Sequence, residues 1–237
     1  QDDTLLPVAF ENLVAWYPFR SGTGEDITAG DSRFGDSTDY SATVNGATFQ
    51  ASGGVTDIQT GANSGAFDFD GTDDTLDLGT VADSDQSLTV MTWVNPDTVT
   101  KLFMRLVTKV DGANTSENGA IILSTGRDGA RGGFIVSGAN RVLLKGPPTL
   151  STGSYTHLAG RYDFQAGTMT LFQDGQPVAN GNPGQAVALS SRKWVIGEDA
   201  ASTGKGNFLD GTTDGIRIYT AALSDSQINQ IYLNTKP

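Results

Sequence analysis

The chain reads as an all-β sandwich or barrel closed by a single helix. Three observations predict it. Short apolar runs with period-two alternation recur along the whole sequence. They are separated by clusters of Ser, Thr, Asn, Asp and Gly, and glycine alone occurs 30 times. Only one clear helix start is present, and it comes at the end. Ser224 has the character of an N-cap, Gln227 completes a capping box, and Leu223 and Ile228 occupy the two positions of a hydrophobic staple. Ile228, Ile231 and Tyr232 then recur at helical spacing. The stretch Phe208–Leu233, a strand, a link and this helix, organises the rest.

Taken in order, residues 1–10 form a lead-in and residues 11–237 a single domain. Leu13–Phe19 is the first strand; both its sides are largely apolar, and Pro18 ends it. Arg20–Ser41 is a long polar loop rich in Gly and acids, and a loop of that length is either a solvated rim or functional. Short strands are expected at Ala47–Gln50, Val55–Ile58, Ala66–Phe69 and Thr75–Leu78. Ser87–Asn95 is a stronger one, and Leu102–Lys109 and Gly119–Ser124 follow it. Gly133–Ser137 and Arg141–Lys145 read as a hairpin. Tyr155–Asp163 and Thr168–Gln173 form a second pair, followed by the turn Asp174-Gly175. Trp194–Gly197 and Asn207–Tyr219 complete the strands. No repeat of 20–50 residues is visible.

Charge narrows the function. The net charge is −12, from 15 basic and 27 acidic residues, and glutamate occurs only at positions 11, 25, 117 and 198. Such a surface lacks the basic face that phosphate neutralisation needs, which excludes a nucleic-acid partner and disfavours an anionic membrane. It suits a soluble, self-repelling surface, or a protein from a high-salt setting. No apolar run is long enough to insert in a membrane. There is no cysteine, so disulfides, thiolate metal sites and Cys nucleophiles are excluded.

Five segments in order, LVAWYPF, GAFDFDGTDDTLDL, SLTVMTWVNP, SYTHLAGRYDFQAGTMTLFQDGQPV and FLDGTTDGIRIYTAALSDSQINQIY, carry a resemblance. Together they resemble the concanavalin A-like lectin/glucanase superfamily, in its laminin-G-like branch, over residues 11–234. The apolar-Asp-Gly run before a two-Asp turn is matched by Phe69–Asp74. The family's Trp-His-His-Val-Ala strand is matched within Tyr155–Gly175, although Tyr155 and Thr156 stand where Trp and His are usual. Gly211–Ser224 matches the closing strand and helix start. The resemblance implies a two-sheet antiparallel jelly-roll sandwich with one short C-terminal helix. This fold hosts lectins, adhesion modules, glycosidases, lyases and spacers, so function must come from a site.

Asp68, Asp70, Asp73, Asp74 and Asp77 crowd one hairpin, and a hard cation such as Ca²⁺ takes six to eight oxygens. The resemblance implies a Ca²⁺ on the rim or near the closing strand, and Asp70 and Asp214 match its motif positions. The expected metal ligands are therefore Asp70, Asp73, Asp74 and Asp214; the same aspartates could instead serve only as turn residues. His157 is the only histidine, and the resemblance places it in a sheet strand as packing. For ligand binding, exposed rings stack on sugar faces while Asp, Asn and Arg bond hydroxyls. The expected contacts are Tyr155, Trp194, Asn114 and Asp199, the last two in loops 111–118 and 199–207; Asn114 also opens a glycosylation sequon. Trp16 and Trp93 read as core. The hydrolytic branch's Glu-x-Asp-x-x-Glu strand and the lyase branch's Tyr-Lys-Ala-Gly strand are both missing. The expected function is non-catalytic recognition of a glycan or surface glycoprotein, outside the cell or on a virion surface. The alternatives are a structural decoration or spike module contacting other subunits of an assembly, and a polysaccharide hydrolase or lyase.

Overall fold

The computed structural model describes residues 7–81, 87–109, 119–126, 128–185, 192–198 and 207–237. Fifteen strands and one α-helix occur among them. In chain order the strands are β1 (Leu13–Tyr17), β2 (Thr43–Asn45), β3 (Thr48–Gln50), β4 (Ala66–Asp70), β5 (Thr75–Gly79), β6 (Leu88–Pro96), β7 (Arg105–Lys109) and β8 (Ile121–Thr125). They continue as β9 (Gly132–Ser137), β10 (Arg141–Lys145), β11 (Thr156–Asp163), β12 (Thr168–Gln173), β13 (Gln176–Gly181), β14 (Trp194–Ile196) and β15 (Asp210–Tyr219). Helix α1 spans Asp225–Thr235.

Two antiparallel sheets face each other. The eight-stranded sheet runs β13-β12-β11-β6-β15-β4-β3, with β1 also paired to β15; the seven-stranded sheet runs β10-β9-β8-β7-β14-β5-β2. Alternation assigns the faces. In β4, Phe67 and Phe69 point into the space between the sheets and Asp68 points away from it. The main core is that inter-sheet layer, filled by Tyr17, Phe19, Phe67, Phe69, Phe134, Leu171, Trp194, Ile216 and Ile218 among others.

Strand β15 is the hub. One side pairs with β6. On the other, Asp210–Thr213 pairs with β4 and Ile216–Tyr219 pairs with β1. The partner changes at Asp214-Gly215, where the register with β6 also shifts and Gly215 adopts φ +62°. A bulge of this kind leaves an unpaired gap and re-aims the strand. Asp214 fills the gap, accepting hydrogen bonds from Val55 N–H (2.9 Å), Ser64 Oγ (2.5 Å) and Gly215 N–H (2.5 Å).

A second, smaller core covers part of the outer face of the eight-stranded sheet. It joins Trp16, Met91, Ala159, Phe172 and Tyr219 to Leu223, Ile228 and Ile231 of the helix region. The capping box at Ser224 and Gln227 is formed as the sequence predicts. Helix α1 is further fixed by Trp93: its indole N–H donates to Thr235 Oγ1 (2.9 Å) and its ring stacks on Tyr232 at 5.6 Å.

Three expectations about elements need correcting. Val55–Ile58 is no strand; it makes only an isolated bridge, Thr56 to Asn63, because its backbone is held by Asp214 and Ser64 instead of a ladder. Strands β2 and β13 were not expected, since both are largely exposed edges whose few apolar residues, Val44, Val178 and Ala179, form no alternating run. Arg105, not Leu102, begins β7.

Docking of α1 through a narrow apolar stripe gives a prediction. Ile228 is fully buried whereas Leu233 is 51% exposed. Ile228→Ala should cost about 2–4 kcal/mol in urea unfolding, and Leu233→Ala close to nothing.

Candidate functional site

At one end of the eight-stranded sheet's outer face, at the start of β15 and the end of β6, Asp70 and Asp73 are exposed, Asp68, Asn95 and Tyr155 are half-buried and Thr212 is buried. Register assembles this end from distant segments. Asp210 pairs with Asp70, Thr212 pairs with both Asp68 and Asn95, and the Asp97 N–H donates to the Asp210 carbonyl (3.0 Å). Asp73 and Asp74 follow in the β4–β5 turn. Asp70, Asp73 and Asp74 each offer a carboxylate oxygen within 4.8 Å of the others.

The turn is built by its own acids. Asp70 Oδ1 accepts the Thr72 N–H (2.8 Å), and Asp74 Oδ2 accepts the Asp70 N–H (2.9 Å). Gly71 between them sits at φ +77°, where an added Cβ would meet Lys101 Nζ and Asp210. Lys101 Nζ donates to the Gly71 carbonyl. Asp70 and Asp73 are exposed and Asp74 is buried. Carboxylates held this close repel one another, and a divalent cation reverses the sign of that interaction.

Tyr155 borders the acids. It is half-buried, and its hydroxyl donates to the Gly53 carbonyl (2.6 Å) and lies 3.1 Å from Thr212 Oγ1. Burial, and next the charges of Asp214 and Asp68, push the phenol up to about 12, so it stays a neutral donor. Burial together with the nearby Asp97 charge raises the Asp68 carboxyl. Asn95, in the adjacent strand, has a buried Oδ1 without a hydrogen-bond partner. The strip thus combines a fixed ring, amide and hydroxyl groups, and carboxylates.

The structure therefore brings together Asp70, Asp73, Asp74 and Tyr155. It does not bring Asp214 into that group: Asp214 is fully buried, and protein donors occupy both of its oxygens. Trp194 also departs from expectation. It is 1% exposed in the inter-sheet core, with its indole N–H on the Val81 carbonyl (2.8 Å), so it presents no ring to a sugar. Asn114 and Asp199 lie outside the described residues. Sequence reasoning missed Asn95, Thr212, Asp97 and Asp210; only strand register connects them to Asp70.

A family model described as the concanavalin A-like lectin/glucanases superfamily matches residues 70–229. The chain belongs to this superfamily. The matched stretch begins at Asp70, takes in β15 and ends within α1, at Asn229. No curated protein matches the chain in sequence. Among solved structures, the superfamily fold recurs in domain 4 of AbnA, an extracellular GH43 arabinanase from Geobacillus stearothermophilus, in complex with arabinotriose. The TM-score is 0.64 at 20% identity, over 93% of this chain and 98% of that one. The CBM40 of Ruminococcus gnavus IT-sialidase, bound to α2,3 sialyllactose, gives 0.53 at 14% identity over 62% and 83%. The binding domain of Paraclostridial Mosquitocidal Protein 1 gives 0.64 at 12% identity over 94% of this chain; the chain spans about half of that domain, 52%.

Two buried titratable groups next to the strip make a pH prediction. Burial pushes the Asp214 carboxyl from an ordinary 3.8 up to about 7. Its contribution to stability is present at low pH and is lost as the pH rises through about 7. Burial, with Arg217 adding to it, pushes His157 from an ordinary 6.5 down to about 3. Its contribution is present above 6.5 and is lost as the pH falls. Between the two ordinary values these trends oppose each other, so unfolding free energy should be nearly flat there. Asp214→Asn should leave the His157 trend alone, and stability should then fall by about 1 kcal/mol per pH unit below pH 6 in urea titrations.

Proposed function

We propose that this chain is a non-catalytic glycan-binding module whose ligand docks on the acidic end of the eight-stranded sheet. The observation that carries the reading is that strand register places the Asp70–Asp73–Asp74 group beside Asp68, Thr212, Asn95 and Tyr155 at one end of the sheet, with Asp70 and Asp73 exposed. Folds of this kind are seen with arabinotriose and with sialyllactose, which supports a carbohydrate ligand. The charge of the strip narrows the class. With Asp68, Asp70, Asp73, Asp74, Asp97 and Asp210 against Lys101, it favours an uncharged glycan and opposes a sialylated one. Ca²⁺ held by Asp70, Asp73 and Asp74 supports the turn. The fully engaged oxygens of Asp214 keep it out of this ligand set. The setting we infer is extracellular, on a cell or virion surface, and the extracellular arabinanase supports it.

Calorimetry and a glycan array test the reading. Ca²⁺ added to chelated protein should raise the melting temperature, by ~2.7 kcal/mol of stabilisation at a hundredfold excess over Kd, and Mg²⁺ should do less. Asp73→Asn should blunt that response without unfolding the chain. On the array, neutral oligosaccharides should bind and sialylated ones should not. Tyr155→Phe, which keeps the ring, should retain most affinity. Tyr155→Ala should weaken binding by roughly tenfold, the ~1.4 kcal/mol expected of one ring contact. An array with no signal overturns the function, and an absent Ca²⁺ heat overturns the metal.

A further inference from the structure

Helix α1 covers a polar spot on the outer face of the eight-stranded sheet. At its centre is His157, the only histidine of the chain. The ring is fully buried, and neither Nδ1 nor Nε2 has a hydrogen-bond partner. Buried polar atoms are ordinarily paired, because their lost hydration is otherwise uncompensated.

Each element packed around the ring contributes a neighbour. From β6, the Trp93 indole meets it at 5.1 Å, edge to face. From α1, the Tyr232 ring lies at 6.1 Å and also stacks on Trp93. From β15 comes Arg217, itself only 2% exposed, whose guanidinium donates to the Gly215 carbonyl (3.1 Å) and acts on the imidazole as a like charge. Three carboxyls border the spot, and all are engaged elsewhere. Asp174 Oδ1 accepts the His157 backbone N–H (3.0 Å), Asp214 is held by Val55, Ser64 and Gly215, and Asp57 is bound to Arg20 (2.5 Å). An imidazolium here would bring two N–H donors to a place without an acceptor, beside a buried cation. Burial first, and Arg217 next, hold the ring neutral down to about 3, whereas in water it takes a proton at an ordinary 6.5. The closed arrangement is therefore fully favoured above 6.5 and loses ground as the pH falls.

The two ends of α1 are attached unequally. At the start, the capping box is complete, and Arg161 donates to the Asp225 carboxylate (2.6 Å) and the Leu223 carbonyl (2.9 Å). The second half lies over His157. Its polar ties are the Trp93 indole N–H on Thr235, and two exposed bonds, Gln176 to Asn229 (3.1 Å) and Thr56 to the Lys236 carbonyl (3.1 Å).

We propose that α1 is an acid-released latch: protonation of His157 lifts the second half of the helix, from Asn229 to Thr235, off the sheet while its first turn stays tied to Arg161. Release bares Trp93, which alternation places on the same side of β6 as Asn95 of the acidic end. The latch stands whether or not a glycan docks there.

Native-state hydrogen exchange on the intact chain tests it. Amides of Ile231, Tyr232 and Leu233 should exchange through a local opening that is easier than the one exposing Ile216 and Ile218 of β15. After correction for intrinsic exchange, its opening constant should rise about tenfold per pH unit as the pH falls from about 6 to about 4. His157→Phe, which cannot take up a proton, should flatten that slope, and His157→Met serves if the first variant does not fold. Asp174→Asn, at the bordering carboxyl, should leave the slope in place. Helix amides that exchange only together with those of β15 would overturn the latch, as would a local opening that does not change with pH. A slope that survives the His157 substitutions, or that vanishes in Asp174→Asn, would assign the proton to another group and overturn it equally.

Discussion

The bulge at Asp214-Gly215 is the constraint on which the architecture depends. Strand β15 has to satisfy β6 along one side and two different partners along the other. Changing partners mid-strand leaves backbone donors from the intervening loop with no ladder to join. One buried carboxylate answers that need, binding Val55, Ser64 and Gly215 at once. Beside it, the hydroxyls of Thr92 and Thr213 meet at 2.6 Å, and the Arg217 guanidinium lies over the Trp16 ring at 4.7 Å. The seam is polar at its centre and closed by packing. Its carboxyl remains unpaired by any basic group within salt-bridge distance among the described residues, so burial is the dominant influence on its titration.

This seam also positions the candidate site. Asp210 and Thr212 are the part of β15 that pairs with β4, so the bulge determines which of their neighbours face outward with them. Asp68, Asp70, Asn95 and Asp97 reach one strip because β4 and β6 flank the same stretch of β15. The acids are far apart in sequence and adjacent only through register. Their clustering is an electrostatic cost that the folded chain carries, and a cation or a ligand rich in donors offsets it.

What the sequence revealed follows from the range of each interaction. The helix start was legible because a capping box and staple are complete within a few residues, and Ser224, Gln227, Leu223 and Ile228 occupy those places. Long strands such as β6 and β11 were legible through their alternation. The edges β2 and β13 were not, because an exposed edge strand needs no apolar face; Pro177 in β13 is an added disguise. Asp214 was expected as a metal ligand because it matches a motif position of the family resemblance, just before the closing strand. Its burial is a property of pairing with β6, and no local pattern encodes it. Trp194 failed for a related reason: in a three-residue strand, alternation is too short to say which face a ring takes.

The pairing of Leu13 with Tyr219 has a kinetic consequence. Strand β1 can enter its sheet only after almost the entire chain has been looped back to meet it, and β4, paired with β3 on one edge, completes its other edge only with the same late strand. Contacts of such sequence separation pay loop-closure entropy before they return any binding energy, which places this topology among slow folders. During synthesis, β1 and one edge of β4 stay unpaired until β15 emerges. The acidic surface then acts at an earlier stage than binding, because like-charged nascent chains keep their open sheet edges apart while the hub strand is still to come.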